Sequence, residues 1–341
     1  MSGGETLLQA RDLKVHFKGR RQGMFGEHST VHAVDGVSFD VKRGTTFGLV
    51  GESGSGKTTT ALAVMRLVEA TGGSIRLGDD EVLGLEGEAL RRLRRRMQII
   101  FQDPYSSLNP RVRAGAIVRE PLELLEVGDP AERDAREAEL FRLVGLRPEQ
   151  RALFPHQFSG GQRQRIGIAR ALATQPELVV CDEPVSALDV AIQAQILNLL
   201  RRLQSEFGLT YLFISHDLGV VQHMCDEIAV MYLGQIVELA DRVSLFRTPL
   251  HPYSWALLSA VPSADPAIAR GKTRVRLQGD PPSPIDPPAG CRFAGRCPFA
   301  EPRCSESDPV LREIRPGHRV ACHLVGDDGS APHLTAPQAA G

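Results

Sequence analysis

The sequence predicts an α/β fold, in which a mainly parallel sheet is accompanied by helices and preceded by antiparallel strands. Residues 51–58 read GESGSGKT and fit the phosphate-loop pattern G-x-x-x-x-G-K-[ST] at every position. Residues 178–181 and 209–215 are largely apolar runs, as is typical of parallel strands buried on both faces. Residues 7–50 contain segments that alternate apolar and polar positions, which favours half-buried antiparallel strands.

Composition limits the classes of protein that this chain can belong to. It has 341 residues, enough for about two domains, with 42% apolar and 24% charged residues and a net charge of −1. A chain with this net charge has no overall positive potential that would attract nucleic acid. No apolar run approaches the length of a membrane span. Residues 1–10 lack the basic and apolar regions of a signal peptide. We therefore expect a cytosolic protein without a nucleic-acid partner, which leaves docking on a membrane complex open.

The first half of the chain predicts strands with one arginine-rich helix among them. Residues 13–17 and 37–41 alternate as antiparallel strands do, and the polar residues 18–30 between them predict a loop or insertion. Residues 74–77 predict another short strand. Residues 90–96 carry five arginines, which we interpret as the solvated side of a short helix rather than as a nucleic-acid patch.

The second half predicts helices, a hairpin and then a change of character. Residues 115–155 have helical spacing and predict a small helical subdomain, and residues 191–207 predict a long amphipathic helix. Residues 228–239 favour a hairpin. After about residue 248 prolines predict irregular structure, and from about Gly326 the small polar residues predict a frayed end.

The phosphate loop, residues 51–58, carries the clearest chemistry. Its glycines let successive backbone N–H groups and a helix N-terminus point at phosphate oxygens, where larger side chains would crowd the anion. Lys57 would reach the β- and γ-phosphates, and the Thr58 hydroxyl would hold Mg²⁺. The alternative is a glycine-rich turn before an ordinary helix. The apolar run before the loop and the helical pattern after it favour a nucleoside triphosphate site.

Two carboxylates follow the strand predicted at residues 178–181. Carboxylates at the C-terminal end of a parallel strand point into the ligand crevice of the sheet. Asp182 suits outer-sphere Mg²⁺ coordination, and Glu183 could polarise the water that attacks the γ-phosphate. An Asp-Glu pair alone usually lies on a solvated surface, but its place after a buried strand favours the catalytic interpretation.

Further motifs narrow the interpretation. Residues 158–162 read FSGGQ and begin a helix, so they form a second anion site that makes sense if a second copy of the domain supplies it. Ser186 to Asp189 follow the carboxylates, His216 ends the next strand, and Gln102 follows an earlier one. With these motifs in this order, residues 7 to about 245 resemble the nucleotide-binding subunit of an ATP-binding cassette (ABC) transporter.

The resemblance implies roles for individual residues. Glu183 would be the general base, His216 would contact the γ-phosphate, and Gln102 would link Mg²⁺ and the attacking water to a membrane partner. Phe17 would stack on adenine, although an aromatic residue on a strand is also a common core residue. Mg²⁺ would be held by Thr58, Gln102 and Asp182. The residues implied to bind ATP are Phe17, Gly51, Ser53, Gly54, Ser55, Gly56, Lys57, Thr58, Thr59, Ser159, Gly160, Gly161, Gln162 and Asp189.

The tail resembles one branch of that family. Residues 250–253 (LHPY), 255–258 (WALL) and 290–293 (GCRF), with Val185, resemble the F-type ATPase of oligopeptide/dipeptide importers. This implies a related partner ATPase, two permease subunits, an external peptide-binding protein and a position at the cytoplasmic face of the membrane. Nickel or glutathione remain alternative cargoes, and a homodimer remains open. A soluble ABC ATPase acting on nucleic acid or ribosomes is disfavoured, because such proteins usually carry two cassettes or a coiled-coil insertion.

The expected organisation has three parts. Residues 7–248 would form the nucleotide-binding domain, with a helical subdomain at about 103–175. Residues 249–325, called the C-terminal extension below, would carry a cysteine cluster, and residues 326–341 would form a flexible tail.

Four of the six cysteines crowd into the C-terminal extension: Cys291, Cys297, Cys304 and Cys322. Cytosolic thiols stay reduced, so such a cluster favours metal binding over disulfides. The spacings of five, six and seventeen intervening residues differ from the paired C-x₂-C of a zinc ribbon. Four thiolates can hold either Zn²⁺ or an iron–sulfur cluster. The family resemblance favours [4Fe–4S], while free thiols in a small core are the third possibility.

Overall fold

The computed structural model describes residues 4–21, 28–260, 277, 279–285 and 287–335. Within them the strands fall into a four-stranded and an eight-stranded sheet. The strands are β1 (Thr6–Arg21), β2 (His28–Lys42), β3 (Thr46–Val50), β4 (Gly72–Leu77), β5 (Asp80–Glu81), β6 (Met97–Ile100), β7 (Leu178–Asp182), β8 (Thr210–Ser215), β9 (Glu227–Tyr232), β10 (Gln235–Asp241), β11 (Arg312–Arg315) and β12 (His318–Val320).

The described helices lie mostly between these strands. They are α1 (Lys57–Val64), α2 (Gly87–Arg96), α3 (Ala114–Leu124), α4 (Pro130–Leu143), α5 (Gly160–Leu172), α6 (Val190–Phe207), α7 (Leu218–Met224), α8 (Arg242–Arg247), α9 (Pro252–Ser259), α10 (Pro302–Glu306) and α11 (Pro332–Thr335). Short 3₁₀ turns cover Pro148–Ala152, Pro155–Gln157 and Ala294–Arg296. None of these helices combines the length and the apolar character needed to cross a bilayer.

The large sheet confirms the predicted α/β fold. Its order is β11-β12-β10-β9-β3-β8-β7-β6, and the pairs β9-β3, β3-β8, β8-β7 and β7-β6 are parallel. Strands β3, β7 and β8 are buried along their whole length, which explains their nearly continuous apolar sequences. The segments that follow these three strands therefore meet at one edge of the sheet. The predicted hairpin is the antiparallel pair β9-β10.

The small sheet, ordered β2-β1-β4-β5, corrects one expectation. The polar residues 18–30 were predicted to form a loop, but β1 continues to Arg21 and β2 begins at His28. Lys18 pairs with Thr30. Backbone pairing between neighbouring strands does not require apolar side chains, so the polar composition gave no sign of it. Residues 22–27 lie outside the described residues.

The predicted helical subdomain contains α3, α4 and α5. Leu140 and Phe141 of α4 are fully buried among them. Asp129 begins α4 with a capping box, because its side chain accepts from the backbone of Glu132 while the Glu132 side chain accepts from Asp129 N–H. The arginine-rich segment is α2, which leads directly into β6 as expected.

The C-terminal extension joins the large sheet, since β12 pairs with β10. The buried carboxylate of Glu238 on β10 accepts hydrogen bonds from the backbone N–H groups of Leu250 and His251 at 2.7 and 2.9 Å. It also contacts His318 Nε2 at 2.7 Å. One buried carboxylate thus fixes where α9 begins on the core.

The end of the chain differs in part from the expected flexible tail. Ala331 is 2% exposed, and His333 Nε2 lies 2.8 Å from the carbonyl oxygen of Pro249. The His333 ring also stacks on Trp255 at 5.0 Å between centroids. Ala331 and His333 thus contact the rest of the chain. The small polar residues around them in the sequence gave no sign of these contacts. Residues 336–341 lie outside the described residues.

Candidate active site

A cavity of about 680 Å³ lies where the segments after β3, β7 and β8 meet. Its polar wall contains most of the phosphate loop together with Thr59, Gln102, Glu183 and His216. These residues are far apart in sequence, and the parallel strands bring them to one edge of the sheet. The structure therefore assembles the predicted phosphate-binding and catalytic residues around a single space.

Glycine is required at two points of the phosphate loop. Gly56 has φ 101°, and a Cβ atom there would lie 2.2 Å from the carbonyl oxygen of Ala33 on β2. Gly51 has φ 154°, and its Cβ atom would lie 2.1 Å from the carbonyl oxygen of Met231. The loop thus passes too close to neighbouring backbone for any side chain at these positions.

The ammonium group of Lys57 lies folded across the loop. Lys57 Nζ donates to the carbonyl oxygens of Gly51 and Glu52 at 2.9 and 2.8 Å. Burial lowers the pKa of Lys57, and the nearby carboxylates of Glu183, Asp182 and Glu52 oppose that shift. A buried ammonium group held by carbonyl oxygens is placed to bind an anion that enters the cavity.

Thr58 and Asp182 form a pair of hard oxygen donors beside the loop. The Thr58 hydroxyl donates to Asp182 Oδ1 at 3.1 Å, and Asp182 is 5% exposed. Burial raises the pKa of Asp182, and repulsion from Glu183 adds to this, while the Thr58 hydroxyl and Lys57 act in the opposite direction. A hydroxyl and a buried carboxylate fit the ligand preference of Mg²⁺.

Glu183 lies at the centre of the catalytic group. Its backbone has φ 45°, a left-handed conformation that is strained for a residue with a side chain. Hydrogen bonds hold it: Glu183 N–H donates to Ile214 O at 3.0 Å, and the Ser186 hydroxyl donates to Glu183 O at 3.1 Å. One carboxylate oxygen accepts from Gln102 Nε2 at 2.8 Å, and the other lies 3.0 Å from His216 Nδ1. The three residues predicted to act in hydrolysis are thus in direct contact.

The second predicted anion site lies elsewhere on the chain. Ser159 caps α5, because its hydroxyl accepts from Gln162 N–H at 3.3 Å while the Gln162 side chain accepts from Ser159 N–H at 3.0 Å. Ser159, Gly160, Gly161, Gln162 and Asp189 do not line the cavity described above. Their role in binding ATP stays a prediction that requires a second cassette.

Sequence reasoning did not identify the apolar wall of the cavity. Phe17 is 42% exposed and pairs with Val31 across β1 and β2, but Val31 lines the cavity and Phe17 does not. The other apolar lining comes from Ala33, Leu218, Leu257 and Pro284. Stacking of adenine on Phe17 therefore stays a prediction. The proline-rich sequence around residue 284 carried no pattern that pointed to this cavity.

Pro284 reaches the cavity through backbone pairing with β2. His32 N–H donates to Pro284 O at 2.9 Å, and an isolated antiparallel bridge joins Val31 to Ile285. A segment of the C-terminal extension thus forms part of the cavity wall.

Near this wall, two histidines and one aspartate lie close enough together to be considered as metal ligands. One ligand atom each from His16, His32 and Asp35 lies within 4.8 Å of the others. Asp35 is, however, also paired with the Arg292 guanidinium. Burial acts to raise the pKa of Asp35, but hydrogen bonds from Arg292 and His16 outweigh it and the pKa is lowered. This pairing identifies a hydrogen-bonded ion network that ties Arg292 of the C-terminal extension to β2.

The four cysteines of the C-terminal extension come together. Cys304 and Cys322 are 5% and 8% exposed, and Cys291 and Cys297 are half-buried. Burial raises the pKa of Cys291 to about 12 and that of Cys297 to about 11, with a further contribution from the other cysteines of the set. The backbone N–H groups of Phe293, Phe299 and Leu324 act in the opposite direction and lower the pKa of Cys291, Cys297 and Cys322 respectively. Four neighbouring thiols offer soft ligands of the kind that hold zinc or an iron–sulfur cluster.

Two families match parts of the sequence. Residues 34–186 match the family described as "ABC transporter". Residues 237–304 match the family described as "Oligopeptide/dipeptide transporter, C-terminal region". The two matches follow each other along the chain, and the second includes Cys291, Cys297 and Cys304.

Curated relatives align over nearly the whole chain. The putative oligopeptide transport ATP-binding protein YkfD of Bacillus subtilis (strain 168) is 50% identical over 319 residues, which cover 93% of this chain and 95% of that protein. The oligopeptide transport ATP-binding protein AppF of the same organism is 50% identical, with coverage of 94% and 98%. The putative peptide import ATP-binding protein BOV_A0347 of Brucella ovis is 52% identical, with coverage of 93% and 97%.

A solved structure agrees with the fold. It is the dimeric structure of a post-hydrolysis state of the ATP-binding cassette MJ0796 bound to ADP and Pi. The match has a TM-score of 0.61 and 28% sequence identity, and it covers 69% of this chain and 99% of that one.

Proposed function

The chain belongs to the ATP-binding subunits of ABC transporters of the oligopeptide/dipeptide type, and on that premise we propose that its ATPase activity powers the import of dipeptides or oligopeptides. The observation that carries the proposal is the contact of Glu183 with Gln102 and His216 beside the phosphate loop. A carboxylate fixed at this point can accept a proton from the water molecule that attacks the terminal phosphate of a bound nucleotide.

The residues around the cavity divide the work of hydrolysis. The phosphate-loop N–H groups and Lys57 would bind the triphosphate, and Thr58, Gln102 and Asp182 would hold Mg²⁺. When bound, Mg²⁺ supplies positive charge that neutralises the phosphate oxygens. Glu183 accepts the proton of the attacking water, while Gln102 and His216 orient its carboxylate. The strained backbone of Glu183 fixes the direction of that side chain before nucleotide arrives.

A second cassette would complete the site. Ser159 and the N-terminus of α5 are built to bind an anion but lie away from the cavity, which supports pairing with another cassette. The similar MJ0796 cassette is described as dimeric. For this chain we propose a related ATPase as the partner, so that each nucleotide lies between one phosphate loop and the other chain's Ser159 region or its equivalent.

An apolar groove beside Gln102 supports a membrane partner. It measures about 820 Å³ and lies between α2, β6 and α3. Leu67, Phe101 and Leu124 line it and are 50%, 37% and 67% exposed. Exposed apolar side chains grouped in this way mark an interaction surface. We propose that a permease subunit docks here, and with it a position of the chain at the cytoplasmic face of the membrane and an external peptide-binding protein as a further partner.

We further propose that Cys291, Cys297, Cys304 and Cys322 hold a [4Fe–4S] cluster rather than zinc. Among these four described residues, no three sulfurs lie within 4.8 Å of one another. Four thiolates on one tetrahedral zinc ion would be about 3.8 Å apart, given the Zn–S bond length. The choice of the cluster is supported by the family resemblance and by intervals of five, six and seventeen residues between the cysteines, which differ from the paired C-x₂-C of a zinc ribbon.

Metal analysis tests this assignment. Protein purified without oxygen should contain iron and acid-labile sulfide at about four of each per chain. The matched Cys304→Ser variant should lose both, whereas Cys225→Ser, which lies outside the set, should keep them. Zinc at one per chain without iron or sulfide would overturn the choice.

Purification of the tagged chain from its own membranes in a gentle detergent tests the transport function. We expect two permease proteins, a related ATPase and a peptide-binding protein to co-purify. A nickel- or glutathione-binding protein in place of the peptide-binding protein would change the cargo. Recovery from the soluble fraction with nucleic-acid or ribosomal proteins would contradict the transport function and leave the ATPase chemistry.

A further inference from the structure

Glu52, the second residue of the phosphate loop, places a negative charge at the site for a polyanion. It lines the cavity, and its carboxylate is close enough to Lys57 to raise the pKa of that ammonium group against the effect of burial. An unpaired carboxylate here would repel the triphosphate and compete with it for Lys57. The loop therefore requires a counter-charge.

Arg296 of the C-terminal extension supplies that counter-charge. Its NH1 group lies 2.8 Å from Glu52 Oε2, and its NH2 group lies 3.3 Å from Glu52 Oε1. Such a two-point contact fixes the direction of the carboxylate as well as its charge. The Arg296 side chain is 9% exposed and the Glu52 side chain 30%, so water screens the pair only in part.

The backbone of the extension holds Arg296 in place. It ends the 3₁₀ turn Ala294–Arg296, which lies between Cys291 and Cys297. Ala294 N–H donates to Cys291 O at 2.9 Å, and Cys297 N–H donates to Ala294 O at 3.2 Å. Phe293 at the start of the turn is 1% exposed and packs edge-on against Tyr232 at 5.3 Å between centroids. The guanidinium is thus carried by a turn whose backbone and neighbouring aromatic ring have defined contacts.

A second contact from the extension holds the same loop residue. The backbone N–H of Glu52 donates to the Tyr253 hydroxyl at 2.9 Å. We propose that Arg296 is a positioning residue of the ATP site, which neutralises and orients Glu52 so that the phosphate loop binds nucleotide tightly. The C-terminal extension would then be part of the ATP site rather than an appendage to it.

A charge-removal series on the full-length chain tests this proposal. The measured quantity is the Kd for the non-hydrolysable analogue β,γ-imido-ATP with Mg²⁺, by calorimetry. Arg296→Gln should weaken binding about tenfold, because it leaves the Glu52 carboxylate unpaired. Glu52→Gln should bind within about threefold of the parent, because it removes the repelling charge and leaves Arg296 able to donate to the amide oxygen. The double variant Arg296→Gln/Glu52→Gln should recover to the level of Glu52→Gln.

Recovery in the double variant separates positioning from a general loss of structure. A role of Arg296 in folding alone would leave the double variant as weak as Arg296→Gln. The matched control is Arg303→Gln, which removes an exposed arginine of the same extension that pairs with Glu301 at 3.0 Å. It should leave the Kd unchanged. Binding by Arg296→Gln within twofold of the parent, or no recovery in the double variant, would overturn the proposal.

The metal content of each variant is measured as well. It distinguishes an effect of Arg296 on Glu52 from an effect on the proposed metal centre of the cysteines. If the parent chain holds no metal, the centre fails, while the comparison of Kd values still decides the role of Arg296. If Arg296→Gln keeps the parental metal content and loses affinity, the effect runs through Glu52. If it loses both and Glu52→Gln restores neither, Arg296 serves the cysteine region and the positioning role is wrong.

Discussion

Glu183 and Glu52 both line the cavity, but their carboxylates have different partners. Glu183 contacts an amide and an imidazole, both from the segments that follow strands of the core sheet. Glu52 is held by a guanidinium from the C-terminal extension. Both carboxylates have a partner at each oxygen, but Glu52 faces a permanent positive charge, whereas Glu183 faces an amide and an imidazole. We call the part of the cavity around Glu183 its catalytic side. The part around Glu52, which the C-terminal extension holds, is called its positioning side.

The largest expected effect comes from the same substitution at both carboxylates. Glu183→Gln removes the proton acceptor but keeps shape and hydrogen bonding, so ATP turnover should fall by about 10²- to 10³-fold while ATP still binds. Glu52→Gln should keep turnover within a few-fold of the parent, because it removes no group that reacts. Steady-state phosphate release together with the Kd for ATP checks both variants.

Two outcomes would contradict the different roles given to Glu183 and Glu52. Parental turnover by Glu183→Gln would remove Glu183 from its role as general base. An equal loss of turnover in Glu52→Gln would mean that both carboxylates act in the chemistry.

The two sides also differ in how far the sequence predicts them. On the catalytic side, Lys57, Glu183 and His216 each follow a buried parallel strand, so local pattern and sheet geometry together place them at one edge. The phosphate loop needs only its own glycines and the helix after it. Such features are encoded in short contiguous segments, and the structure assembles them as expected.

The positioning side depends on contacts between distant segments. Arg296 lies 244 residues from Glu52, and Pro284 reaches β2 by a backbone bond that proline-rich composition does not suggest. Residues 18–21 were likewise expected to lie in a loop, yet they pair with β2, and Ala331, within the expected flexible tail, is buried. Tertiary packing decides such regions, and no periodic pattern records it. The cysteine cluster was visible because residue type alone reveals it.

Acid should weaken the attachment of the positioning side. His251 begins α9, is 1% exposed, and accepts from Tyr253 N–H through Nδ1 at 3.0 Å. Burial lowers its pKa to about 4, and the Glu238 carboxylate opposes this only in part. The unfolded chain therefore binds the proton first, so this contribution to stability is full above about pH 6.5 and is lost as the pH falls towards 4. The loss amounts to about 3 kcal/mol over that range.

The His251→Asn variant isolates this effect. Asparagine can still cap α9 but does not titrate, so the difference in free energy of unfolding between parent and variant should shrink as the pH falls from 7 to 5. Urea titrations at each pH measure it. The exposed His156→Asn is the matched control and should follow the parent at every pH. A parent-to-variant difference that is constant with pH would show that His251 has the same pKa in the folded and the unfolded chain.

The smallest effect tests the second contact between the two sides, which is the hydroxyl of Tyr253. Tyr253→Phe leaves Glu52 N–H without its acceptor, so β,γ-imido-ATP should bind about fivefold more weakly, in line with about 1 kcal/mol for one buried hydrogen bond. Tyr211→Phe is the matched control, because Tyr211 is equally buried and its hydroxyl donates to Leu200 O of α6 at 2.9 Å rather than contacting the phosphate loop. Both variants should lose similar stability in urea, and only Tyr253→Phe should lose affinity. Equal losses of affinity would mean that general loosening of the core, rather than the hold on Glu52, sets how well this chain binds nucleotide.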